Sequence, residues 1–262
     1  MCFMKKFMYA FLCIAVGLVL GFPLFNMNDN YMSAAEGYEG EKIIDFDAFL
    51  TEEQALNGQA SSIYMISDEH RLFYKQYISW TTASMVSMVL DVSGRPVEHV
   101  VQVSGGGLTV DKPSGIALRD DGKLYVWGDN SCGQFGNGSV SSEYSRNAIV
   151  VDPGIPNIVS VHAGYRNHYV VSANGDVYAS GDNSYGQLGN GSTEASSSVF
   201  TKVNVSNLKK ITGEGPSVYA LTKEGTVYSW GQHASNGYED FTDLNYPVQI
   251  HALTNVIDID AK

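Results

Sequence analysis

Gly128-Asp-Asn-Ser-Cys-Gly-Gln-Phe-Gly-Asn-Gly-Ser139 returns 53 residues later as Gly181-Asp-Asn-Ser-Tyr-Gly-Gln-Leu-Gly-Asn-Gly-Ser192. Only two positions differ: Cys132 stands against Tyr185, and Phe135 against Leu188. The residues before each copy repeat as well. Gly115-Ile-Ala-Leu-Arg-Asp-Asp-Gly-Lys-Leu-Tyr-Val-Trp127 lines up with Tyr169-Val-Val-Ser-Ala-Asn-Gly-Asp-Val-Tyr-Ala-Ser180, and a third copy runs from Tyr219 to Gly231. A period near 50 with strand–turn–strand content is the signature of stacked β units. Such a unit cannot bury its apolar face alone, so neighbours must cover it.

Each unit reads as four short strands. The inner one is apolar (Val100-Val-Gln-Val103, Ile158-Val-Ser-Val161, Leu208 to Ile211). A second strand follows, then a turn at Asp121-Gly122, Asn174-Gly175 or Glu224-Gly225. Such pairs supply the positive φ of a two-residue hairpin turn. An alternating third strand leads into the Gly-rich stretch, and a last strand such as Phe200-Thr-Lys-Val203 lies outermost. The expectation is an all-β chain of four-stranded antiparallel blades, arranged as a β-propeller. The blades fall at 97–156, 157–206 and 207–254, with a degenerate one at 61–96 and the start of a further one at 255–262. In the degenerate unit His70 replaces the turn glycine. At this period the chain has room for about four blades of a probable seven, which reads as an incomplete propeller from a truncated chain.

Lys5 and Lys6 precede an apolar run from Phe7 to Phe25. That is an export signal, either cleaved after Ala35 or kept as an N-terminal anchor. Extracellular or cell-surface placement follows from either reading, and the membrane enters only through this segment. Residues 36–60 are acidic and read as a linker, with Phe46, Phe49, Leu50 and Leu56 as an alternative helix edge. Formal net charge is −12, which disfavours nucleic acid as a partner because phosphate binding needs clustered Lys and Arg. Beyond the export segment Cys132 is the single cysteine, so no intramolecular disulfide can form.

The repeated stretch resembles the regulator of chromosome condensation family. The residues that carry the likeness are Gly128, Asn130, Gly133, Gln134 and Gly136, then Gly181, Asn183, Gly186, Gln187 and Gly189, with Gly231 in the third copy. The resemblance implies a seven-bladed propeller and protein–protein interaction; members include a guanine-nucleotide exchange factor and a secreted β-lactamase-inhibitory protein. The main expectation is a non-enzymatic, exported protein-binding scaffold, with self-association open if the chain is complete. The alternatives are exchange-factor action on a small GTPase and a propeller-fold enzyme or glycan-binding protein.

Other chemistries fit poorly. Gly186-Gln-Leu-Gly-Asn-Gly191-Ser lacks the lysine and the following helix of a phosphate loop. Asp120-Asp121-Gly122 reads as a turn, not as a calcium loop with six oxygen ligands. No cofactor, metal or nucleophile set stands out, and Cys132 occupies a position that elsewhere is Tyr185. In an antiparallel meander alternate loops share one end. The end opposite the hairpin turns should carry Tyr165, Arg166, Asn167, Tyr185, Glu143, Tyr144, His233 and Tyr238 as the partner-binding face, since Tyr and Arg anchor interfaces most often.

Overall fold

A computed structural model describes residues 41–49, 62–76, 86–107, 113–232 and 243–260. From Ile43 onward these form one unit of four antiparallel four-stranded sheets. Blade 1 holds β1 (Ile43–Phe49), β2 (Ser62–Ser67), β3 (Leu72–Gln76) and β4 (Val86–Met88). Blade 2 holds β5 (Val100–Gly107), β6 (Pro113–Arg119), β7 (Leu124–Asn130) and β8 (Ser141–Val151). Blade 3 holds β9 (Ile158–Ala163), β10 (Asn167–Ser172), β11 (Val177–Asp182) and β12 (Ser196–Lys202). Blade 4 holds β13 (Leu208–Glu214), β14 (Ser217–Thr222), β15 (Val227–Gly231) and β16 (Leu244–Gln249). In every sheet the strands lie in chain order, so each blade is a simple meander.

Burial follows position in the blade. Each residue of β10 is buried, because the second strand has a neighbouring blade on both faces. The outermost β12 keeps none of its residues fully buried. Three apolar clusters join successive sheets. Tyr64, Ile66 and Leu72 meet Val100, Ala117 and Trp127 between blades 1 and 2. Ile116, Val126 and Phe135 meet Ile158, Val161 and Val170 between blades 2 and 3. Tyr169, Val171 and Leu188 meet Leu208, Val218 and Trp230 between blades 3 and 4.

The inner strands also touch one another through side chains. Val161 N–H donates to Gln102 Oε1 at 3.0 Å, and Ala163 N–H to Ser104 Oγ at 3.2 Å. Asp47 Oδ2 accepts from Ser104 Oγ at 3.2 Å and from Gly105 N–H at 2.9 Å. This corrects the reading of 36–60 as a linker, because Ile43–Phe49 is the inner strand of blade 1. Its carboxylate serves blade contact, which is why acidity there misled. The signal segment, residues 36–40 and 50–60, His233 and Tyr238 lie outside the described residues.

The hairpin turns differ from expectation too. Gly122 N–H donates to Arg119 O and Arg119 N–H to Lys123 O, a pattern repeated at Ser172–Asp176 and Thr222–Thr226. Gly122, Gly175 and Gly225 have φ of 81°, 85° and 85°, while Asp121, Asn174 and Glu224 stay negative. A two-residue type I′ turn needs positive φ at both centres; one αL glycine closes a three-residue loop instead. His70 holds the same place in blade 1 at φ 57°. A second left-handed residue precedes the inner strands of blades 2, 3 and 4: His99, Asn157 and Asn207, with φ of 64°, 53° and 61°. Asn255 shares this at φ 55°. Val256 N–H donates to Gly225 O as Leu208 N–H does to Gly175 O, although 256–260 pair in no sheet among the described residues.

Candidate functional site

The repeated Gly-rich stretch is a clasp. Asn183 is buried at its centre: its Oδ1 accepts from Leu188 N–H at 3.0 Å, and its Nδ2 donates to Ser192 O at 3.2 Å and Glu194 O at 2.7 Å. Asn130 repeats this with Phe135 N–H at 3.0 Å and Ser139 O at 3.1 Å. The far end of each loop reaches the next blade: Gly138 N–H donates to Ser198 O at 2.8 Å, and Gly191 N–H to Asn245 O at 2.7 Å. Gly186 has φ 79°, and a Cβ there would strike the Asn245 backbone. The glycines therefore serve turning and close approach, and the loop holds blades together.

The clasp also offers a carbonyl to a ring from the next blade. Trp230 Nε1 donates to Gln187 O at 2.8 Å, as does the Tyr169 hydroxyl at 2.8 Å. At the blade 1–2 contact Trp127 Nε1 donates to the Tyr64 hydroxyl at 2.7 Å. Blade 3 has Ser180 where its sisters have Trp127 and Trp230. The ring comes from the opposite strand there: His168 pairs with Ser180, whereas Gly115 pairs with Trp127 and Val218 with Trp230. A Cβ on Gly115 would overlap the Trp127 indole.

The loop end is where blade 3 departs from its sisters. Register aligns Arg166-Asn167 with Pro113-Ser114 and Pro216-Ser217. Arg166 Nη2 donates to Ser131 Oγ in blade 2 at 2.8 Å. Ser131 Oγ in turn donates to Asp129 Oδ2 at 2.9 Å, and Gln134 Nε2 donates to the same oxygen at 3.1 Å. Asp182 takes Ser184 N–H at 2.9 Å and its hydroxyl at 2.6 Å. Both carboxylates are thus engaged locally. Cys132 lies close enough to feel Arg166, Asp182 and Asp129, but burial pushes its thiol up, away from nucleophile behaviour.

Of the expected face, Tyr185 stands exposed, with its N–H held by Gln187 Oε1 at 2.9 Å. Tyr165 and Arg166 are half-buried in the loop between β9 and β10. Asn167 is only 2% exposed; it begins β10 and turns inward, so it leaves the surface list. Glu143 and Tyr144 belong to β8, not to a loop. Tyr144 is half-buried beside Tyr74 of blade 1, and burial chiefly raises its hydroxyl to about 12. Ser131 was not anticipated, although the Asp-x-Ser spacing at 129–131 and 182–184 marks it. Among the described residues no group of three His, Cys, Asp or Glu side chains could hold a metal ion.

This arrangement defines a chain of β-propeller blades. Residues 100–134 and 158–187 match the model of the Regulator of chromosome condensation (RCC1) repeat, and residues 174–212 match a second model of that description. Residues 100–134 and 158–212 therefore carry regulator of chromosome condensation repeats. It is 30% identical over 173 residues to the human E3 ubiquitin-protein ligase HERC2, covering 63% of this chain and 3% of that protein. It is 35% identical over 141 residues to the dog X-linked retinitis pigmentosa GTPase regulator, covering 51% and 14%. With the ultraviolet-B receptor UVR8 of Arabidopsis thaliana it shares 31% over 138 residues, 51% and 31% of the two chains. The chain thus spans less than a third of each of these relatives. The crystal structure of Prp20p from Saccharomyces cerevisiae superposes with TM-score 0.62 at 19% identity, over 82% of this chain and 52% of that one. Human WBSCR16 gives 0.58 at 15%, over 80% and 53%. At these identities the two structures speak for the fold alone.

Proposed function

We propose that this chain is a non-enzymatic protein-binding scaffold whose docking surface is the loop end around Arg166 and Tyr185. The observation that carries this reading is the departure of blade 3. Where its sisters place Pro113 and Pro216, blade 3 puts an arginine with no carboxylate partner among the described residues. Where blade 2 places half-buried Cys132, blade 3 raises exposed Tyr185. Tyr185 stands clear of blade packing and Arg166 meets blade 2 through its bond to Ser131; Tyr and Arg are the commonest interface anchors. The basic, apolar start of the chain supports export to the cell surface or medium. The GTPase regulator among its relatives supports a second reading, nucleotide exchange on a small GTPase.

The test is photo-crosslinking from position 185 in the intact chain, followed by affinity measurement with the captured protein. Arg166→Ala with Tyr185→Ala should weaken that complex about 30-fold or more, as loss of interface anchors does. Glu224→Ala, at the opposite end, should leave it unchanged. A complex indifferent to the first pair and lost with the second overturns the choice of face. Acceleration of nucleotide release from a captured GTPase would favour the second reading.

A further inference from the structure

The contact between blades 2 and 3 is built unlike the other two. The blade 1–2 cluster contains Tyr64, Tyr125 and Trp127. The blade 3–4 cluster contains Tyr169 and Trp230. Between blades 2 and 3 the fully packed residues are aliphatic except Phe135. The ring that fills the tryptophan position there is His168, with no exposed surface. Its neighbour Ser180 Oγ donates to the Gln134 carbonyl at 2.9 Å. Neither His168 ring nitrogen makes a hydrogen bond of good geometry, and the Gln134 carbonyl beside the ring already accepts from Ser180, whereas Trp127 and Trp230 each satisfy their single N–H. Buried nitrogens so poorly served should make this contact weaker than its sisters.

We propose that the blade 2–3 contact is an acid-sensitive hinge, opened by protonation of His168. The groups around that ring give a positive charge little support. From β9 comes His162, which opposes the charge; from β11 comes the Ser180 hydroxyl; from blade 2 comes the Gln134 carbonyl, a weak favourable influence. Arg166, two residues earlier, adds a cation already turned to Ser131. Burial is the main cause that lowers His168 from 6.5 to about 3, with His162 adding to it. When the contact opens, the ring meets water and regains its ordinary value. The closed contact is therefore fully stable above pH 6.5 and loses stability as pH falls from there toward 3. At pH 4.5 the opening equilibrium should rise about hundredfold over pH 7. Arg166 bonds Ser131 across the same contact, so opening would also release the arginine of the proposed docking face; that consequence rests on the functional reading, while the hinge does not.

The experiment is amide hydrogen exchange on the full chain at pH 7 and pH 4.5, corrected for the intrinsic rate of exchange. The amides of Gly138 and Val161, whose acceptors lie across the blade 2–3 contact, should lose protection about hundredfold. Gly191 and Leu208, bonded across the blade 3–4 contact, should change far less. Replacing the pair by His168→Gly with Ser180→Trp restores the arrangement of Gly115 and Trp127 and should abolish the difference. The milder His168→Gln should flatten the pH response as well. Equal loss at both contacts in the parent chain overturns the hinge. So does an unchanged pH response in whichever of the two variants folds.

Discussion

At the scale of the residue, the ring that locks two blades can be supplied from either of two adjacent strands. What matters is one ring per pair, because interiors are packed to crystal-like density. Blade 2 uses Gly115 with Trp127, and blade 3 uses His168 with Ser180. Gly115→Ala should cost about 1–3 kcal/mol, since the added methyl overlaps the indole. The exchange is coupled: Gly115→His with Trp127→Ser should cost less than the two single changes together, by about 1 kcal/mol or more. Urea midpoints of the four chains measure this, and strict additivity would refute the shared-ring account. A separate check is Tyr64→Phe, which leaves the buried Trp127 N–H without its hydroxyl acceptor. That loss should be about 1–3 kcal/mol.

At the scale of the element, the Gly-rich loop behaves as a rigid part because one asparagine organises it. Asn183 makes three hydrogen bonds from a buried position. Asn183→Ala should cost about 2–3 kcal/mol through the unpaired backbone groups it leaves, while Tyr185→Ala, two residues on and exposed, should stay within about 0.5 kcal/mol. Thermal or urea unfolding distinguishes these, and similar costs would mean that the loop is not organised this way. Much of this was legible in sequence. Asn130 and Asn183, and the glycines around them, recur at fixed spacing because each satisfies the same local geometry. What escaped was set between elements. Asp47 looks like a linker residue until Ser104 and Gly105 of the next blade are brought beside it. The turn class escaped because Asp-Gly serves both a two-residue and a three-residue loop, and only the φ at Asp121 separates them. Arg166 was legible as a departure from Pro113 and Pro216, but the burial of Asn167 depends on where β10 begins, a boundary that alternation does not define.

At the scale of the whole molecule, stability is a chain of neighbour contacts. Among the described residues the main contacts between blades all join neighbours in sequence, the arrangement in which intrinsic and nearest-neighbour terms sum. Damage should therefore stay local. Tyr64→Phe acts at the blade 1–2 contact and Trp230→Phe, which removes the donor to Gln187 O, at the blade 3–4 contact. The two share no partner, so their costs should add within about 0.5 kcal/mol. Hydrogen exchange at neutral pH should further show each variant loosening its own contact and leaving the other protected. If Tyr64→Phe instead loosened the amide of Gly191 as much as its own surroundings, the blades would be melting as one cooperative body. A hinge confined to the His168 contact could not then exist, because opening one contact would open all.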